Sequence, residues 1–150
     1  MAWTTLLLLV VWLSTGCSVA KKTRSMFGGE LPFTVTIAGD ANENSAIAVD
    51  VVVVYNQNIV EPLMKMSAAE WFKTKNQFLS DHRPDEVVVQ GWEWTPNNVV
   101  PDQRVMYSAG ARKFILFADY STEGAHRASL DPRQPFHLYL DTLEFKKVPP

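Results

Sequence analysis

The stretch Ala46–Tyr55, AIAVDVVVVY, places Ile47, Val49, Val51, Val53 and Tyr55 on one face of an extended chain. Side chains alternate across a strand, so this wholly apolar face belongs against a core. The other face carries Ala48, Asp50, Val52 and Val54. Such β-branched density predicts a central strand, buried on one side and partly covered on the other. Upstream, Phe33, Val35 and Ile37 alternate with Thr34 and Thr36, a half-buried strand. Between the two lies Gly39-Asp40-Ala41-Asn42-Glu43-Asn44-Ser45, small, polar and turn-prone, hence a loop.

Downstream the period changes. Ser67-Ala68-Ala69-Glu70 has capping-box form, and Met66 and Trp71 are spaced for a hydrophobic staple. Trp71, Phe72, Phe78 and Leu79 then share one face of a helix over 68–80, with Lys75 at the same spacing. Ile59–Lys65 predicts a short helical turn, with Pro62 near its start. Strands return at Glu86–Trp94 (EVVVQGWEW), where Gly91 suggests a bulge. They continue at Arg104–Tyr107, Lys113–Tyr120, Ala125–Leu130 and Phe136–Phe145. Short strands broken by turns at this spacing predict a mostly β, two-sheet β-sandwich over residues 32–150, with a small helical insertion at about 59–80.

The 150 residues suffice for one domain. Charged residues are 20% and apolar ones 47%, which supports a core. A net charge of −2 argues against bulk electrostatic binding to nucleic acid. Residues 1–16 carry no charged side chain and include the apolar run Leu6–Leu13. That run is too short to cross a bilayer and has the length of a secretory signal's apolar core. Leu13-Ser14-Thr15-Gly16-Cys17 resembles the lipobox of bacterial lipoproteins, although Ser14 stands where that motif has Leu, and no Lys or Arg precedes the run. The resemblance implies a lipoprotein signal peptide at 1–16, lipidation of Cys17 and a flexible tether over 17–31. Ser18 after the cysteine resembles lipoproteins sorted to the outer membrane. Lys21, Lys22 and Arg24 lie within the tether, solvated or touching anionic head groups.

Catalytic patterns are sparse. His82, His126 and His137 lack metal-binding spacing, and neither a nucleophile elbow nor a glycine-rich phosphate loop occurs. No metal, cofactor or enzymatic activity is expected. An enzyme would need His82, Asp81 and Asp85 to converge, whereas that charge run after a helix reads as a solvated corner.

The order of pieces resembles TssJ, the outer-membrane lipoprotein family of type VI secretion systems. Val49–Tyr55 (VDVVVVY) is similar to that family's valine-rich second strand ending in Tyr. Ser108–Arg127 is similar to its later stretch, through Gly110-Ala111-Arg112-Lys113-Phe114 and Ala118-Asp119-Tyr120 to His126-Arg127. His126 stands where the family has Trp, and Gly91-Trp92-Glu93-Trp94 is unlike it. The resemblance implies a transthyretin-like sandwich anchored in the outer membrane and facing the periplasm. It also implies a scaffold that docks the periplasmic part of a large inner-membrane protein, TssM. The implied contact is the loop between the first two strands, here Gly39, Asp40, Ala41, Asn42, Glu43, Asn44 and Ser45. Two alternatives stay open: a lipoprotein holding a small apolar ligand near Trp71, Phe72, Trp92 and Trp94, or an inhibitor whose 95–103 loop, stiffened by Pro96 and Pro101, plugs another protein. Trp92 and Trp94 share a strand face and serve as either core or interface.

Overall fold

The computed structural model describes residues 28–150. The expected signal peptide, Cys17 and most of the tether lie outside the described residues. Among the described residues, eight strands form two four-stranded sheets. In chain order they are β1 (Gly29–Ile37), β2 (Ile47–Val54), β3 (Val87–Trp94), β4 (Gln103–Tyr107), β5 (Lys113–Ala118), β6 (Arg127–Leu130), β7 (Phe136–Leu140) and β8 (Phe145–Val148). One sheet runs β4-β1-β7-β8 and the other β3-β2-β5-β6. Between β2 and β3 come a 3₁₀ turn at Gln57–Ile59, α1 (Val60–Lys65) and α2 (Ala68–Asp81). The expected two-sheet sandwich with a small helical insertion is the observed architecture.

Two apolar layers hold it together. Between the sheets, the Ile47, Val49, Val51 and Val53 face of β2 meets Leu31, Phe33, Leu138 and Leu140 from the other sheet. Phe33 stacks on Phe136 at 5.0 Å and meets the edge of Trp92 at 5.3 Å. Trp94 is buried in the same layer, so the tryptophan pair packs as core. The second face of β2 is covered as well, more fully than its mixed composition predicts: Val52 and Val54, with Ile115 and Phe117, lie beneath Leu63 and Trp71 of the helical insertion. Trp71 stacks on Phe117 at 5.3 Å. Both halves of the capping box form, Ser67 Oγ accepting from the Glu70 amide and Glu70 accepting from the Ser67 amide.

Three local expectations need correction. The β2–β3 register runs unbroken from Ile47↔Trp94 to Val54↔Val87, so Gly91 marks no bulge. It lies opposite Asp50, where a Cβ at 91 would come 2.5 Å from the carboxylate. β1 begins at Gly29, three residues before the expected start of the domain, because Gly29, Glu30 and Leu31 pair with Tyr107, Met106 and Val105. Phe136–Phe145 is a hairpin rather than one strand: the Asp141 amide donates to the Glu144 carbonyl, and β8 folds back on β7.

The open side between the sheets is closed by side chains. Gln90 of β3 donates to the Met106 carbonyl at 2.7 Å and accepts from the Met106 amide at 2.8 Å, imitating a strand along the edge of β4. One turn further down, the Tyr55 hydroxyl accepts from the Ser108 amide.

Candidate functional site

The strand directions put the connections 38–46, 95–102, 119–126 and 141–144 at one end of the sandwich. Gly28, the connections 108–112 and 131–135 and the start of β3 lie at the other. The segment Gly39–Ser45 therefore sits at the end remote from the point where the chain enters β1.

This segment is a wound turn rather than a slack loop. Asn42, Glu43 and Asn44 all have positive φ, at 47°, 54° and 66°. Asparagine tolerates that region through local hydrogen bonding, whereas glutamate does so at a cost of about 1–2 kcal/mol. The turn is held by its own backbone, Asn44 donating to Asp40 and Ser45 to Asn42, and by the Asn42 amide donating to Asp141. Its anchor is the Asn42 side chain, which is 3% exposed. Nδ2 donates to the Ala46 carbonyl at 2.9 Å, while Oδ1 accepts from the Ser121 amide at 2.7 Å and the Ser121 hydroxyl at 3.0 Å.

Of the seven residues expected to meet a partner, Ala41 and Asn42 are buried. The polarity of Asn42 is spent inside the protein, Oδ1 on Ser121 of the distant 119–126 connection and Nδ2 on the nearby Ala46 carbonyl. Gly39, Asp40, Glu43, Asn44 and Ser45 are exposed. Asp40 accepts from the Thr142 hydroxyl, which orients its carboxylate, while Glu43 lies 3.1 Å from the Ser121 hydroxyl, whose single proton it shares with Asn42 Oδ1. The side chains of Asn44 and Ser45 have no hydrogen-bond partner among the described residues.

Neighbouring connections widen the surface. The 95–101 loop is closed by Asn98 Oδ1, which accepts from the Thr95 amide and hydroxyl. Its Val99 is 97% exposed, and Asn97 reaches towards Gly39. On the other flank Leu143 is exposed, with its carbonyl accepting from Thr122 Oγ1. Sequence reasoning passed over both apolar tips. Between Pro96 and Pro101 the sequence offers the pair Val99-Val100, of which Val100 packs against the core and Val99 is left at the tip.

Behind this end, Tyr120 is buried against His126, its ring 5.0 Å from the imidazole. Burial raises the Tyr120 pKa and keeps its hydroxyl neutral. Burial likewise raises the carboxyl of Asp119, with Lys75 opposing and Asp50 adding to the shift. Asp141 is held below the usual carboxylate range chiefly by Lys146, whose ammonium lies 2.9 Å away.

Neither the apolar ligand site nor the His82 constellation is assembled. Trp71 and Phe72 belong to the layer under the helices and Trp92 and Trp94 to the layer between the sheets, so sheet β3-β2-β5-β6 separates them. The His82 ring stacks on Phe78 and its Nδ1 lies 2.8 Å from the Phe78 carbonyl, while Asp81 pairs with Gln77 and Asp85 with Arg83. Among the described residues no group of three or more His, Cys, Asp or Glu side chains could hold a metal ion.

Solved structures share this arrangement. Serratia marcescens Lip, described as a membrane bound component of the Type VI Secretion System, aligns with a TM-score of 0.61 at 13% identity, covering 83% of this chain and 99% of Lip. The T6SS lipoprotein TssJ1 from Pseudomonas aeruginosa aligns with a TM-score of 0.55 at 12% identity, covering 82% and 97%. The fold is that of the TssJ lipoproteins. A chain from the structure of the T6SS protein TssM C-terminal domain from EAEC also matches, with a TM-score of 0.55 at 10% identity, covering 83% of this chain and all of that one. No protein-family model matches the sequence, and no curated protein does. Coverage of TssJ1 and Lip is nearly complete, so the TssJ-like fold accounts for both sheets and the insertion together.

Proposed function

We propose that this chain is a lipid-anchored scaffold of a type VI secretion membrane complex. In this reading Cys17 carries the acyl chains in the outer membrane, and the domain faces the periplasm. It docks the periplasmic part of a large TssM-like inner-membrane protein and catalyses no reaction. The observation that carries the reading is β1 itself. Nine residues of extended chain, Gly29–Ile37, span roughly 30 Å from the membrane-proximal end to the Gly39–Ser45 turn. The turn is therefore held out from the bilayer, wound into a fixed shape that needs no ordering on binding. The TssJ-like fold and the membrane location described for Lip support the same assignment.

The docking surface comprises Asp40, Glu43, Asn44 and Ser45, with Asn42 as the residue that shapes them. Many copies anchored in one membrane raise the effective concentration, so modest single contacts suffice for assembly. The test is a detergent pull-down of the tagged chain from its native membranes, beside a variant with Asp40, Asn44 and Ser45 changed to Ala and Asn42 left intact. Recovery of a large inner-membrane protein with the parent chain and its loss with the variant is the expected result. Recovery with both moves the contact off this turn, and recovery with neither removes the scaffold reading.

A further inference from the structure

The opposite end of the sandwich carries its own chemistry. Arg112 and Lys113 at the start of β5, Arg133 in the 131–135 connection and Lys147 on β8 line one open depression of about 390 Å³. The single carboxylate lining it, Asp131, is occupied: Oδ1 accepts from Arg133 Nε at 3.0 Å and Oδ2 from Arg133 Nη2 at 3.1 Å. That pairing holds the Asp131 carboxyl below its ordinary pKa, so it stays ionised and satisfied. Arg133 and Asp131 cancel. Arg112, Lys113 and Lys147 make no ion pair among the described residues. Lys147 is drawn over the depression by donating to the Ser129 carbonyl at 3.2 Å. Four cations against one carboxylate thus line a hollow open to solvent, and Lys147 is close enough to Asp131 to add to the lowering of its pKa.

The location says what they face. This is the end at which the chain enters β1, and Gly28 packs against Tyr107 and Ser108, just before the connection that carries Arg112. The sequence immediately upstream adds Lys21, Lys22 and Arg24 between Cys17 and the domain. The acidic corner at Asp81, Asp85 and Glu86 leads into β3, at the far edge of the sheet from β6. The charge at the membrane-proximal end is therefore lopsided, positive on the β5-β6 side.

We propose that this basic depression seats anionic phospholipid head groups, so that the domain stands on the bilayer on its β5-β6 edge with the Gly39–Ser45 turn pointing away. The proposal rests on the reading of Cys17 as the lipid anchor. Cations near an anionic bilayer each shift partitioning roughly fivefold, and three together roughly a hundredfold. The anchor supplies attachment and the depression supplies orientation.

The test reconstitutes the full chain, expressed with its own N-terminus, into vesicles of phosphatidylcholine with and without phosphatidylglycerol, each doped with a headgroup-nitroxide lipid. Mass spectrometry first reads the state of Cys17. A fluorophore then goes on Ala111→Cys at the base or on Asn44→Cys at the far end. The expected result is quenching at position 111 that requires phosphatidylglycerol and is relieved by high salt, with position 44 unquenched. Changing Arg112, Lys113 and Lys147 to Gln lowers the ratio of docked to undocked domain roughly a hundredfold while the protein stays attached through its acyl chains. Equal quenching in both lipids, or no response to the triple change, overturns the proposal. If Cys17 proves unmodified, flotation decides: binding only to vesicles with phosphatidylglycerol keeps the head-group site and removes the anchor, and binding to neither removes both.

Discussion

Gly91 lies directly across the β2–β3 pair from Asp50, and the carboxylate of Asp50 occupies the space that a side chain at 91 would need. Asp50 is 3% exposed, and one of its oxygens, Oδ2, accepts from both Trp71 Nε1 at 2.8 Å and Lys75 Nζ at 2.9 Å. The glycine clears room for a buried ion pair that pins α2 to the sheet. Gly91→Ala is expected to destabilise the domain by about 1–3 kcal/mol through overpacking, as a lowered melting temperature with the fold unchanged by circular dichroism.

Removing the carboxylate has a larger effect. Asp50→Ala leaves the Trp71 indole N–H and the Lys75 ammonium without their partner, at a cost of about 3–5 kcal/mol. Lys75→Met is milder, because Lys75 is partly exposed and Trp71 still donates to Asp50. Urea unfolding of the two single variants and the double variant measures the coupling, which is expected to be clearly non-zero.

The wound turn separates shape from contact. Asn42→Ala orphans the Ala46 carbonyl and the Ser121 amide, and should cost about 2–3 kcal/mol in chemical denaturation. Glu43→Gly is expected to stabilise by up to about 1 kcal/mol, since glycine adopts its φ of 54° without penalty.

Gln90→Ala removes both side-chain bonds to Met106 and exposes the β4 edge. The expected loss is about 1 kcal/mol of stability, accompanied by concentration-dependent association in sedimentation velocity.

Asp119 gives a pH-dependent prediction. Its carboxyl pKa is raised in the folded protein, chiefly by burial. Folding then favours the protonated form, so its contribution is fully present below the unfolded value near 4 and is lost as pH rises through the folded value. Asp119→Asn should therefore be more stable than the parent at neutral pH, with the advantage vanishing in acid. Thermal melts across that range check it.

The central strand and the capping box were legible because each is written in adjacent residues: β2 in its alternation, α2 in Ser67 and Glu70. The connection at 39–45 was legible as a turn by composition. What sequence could not supply was the inward commitment of Asn42, whose partner Ser121 is 79 residues away. Gly91 misled for the same reason. A glycine in a strand marks either a bulge or a close approach, and only the identity of the residue across the pair, Asp50, decides between them. Lys75 on the apolar face of α2 was the visible half of the Asp50 pair, and its meaning depended on the insertion folding back over β2.

The parallel pairing of β1 with β7 joins residues near the start of the described chain to ones more than a hundred positions later, as in Thr34 beside His137. A sheet closed this way cannot form while the chain is still emerging, since the centre of its first layer waits for almost the last strand. Folding is thus slow relative to local helix and hairpin formation. If the chain is exported as the proposed lipoprotein, that delay keeps the polypeptide threadable until nearly all of it has crossed the membrane.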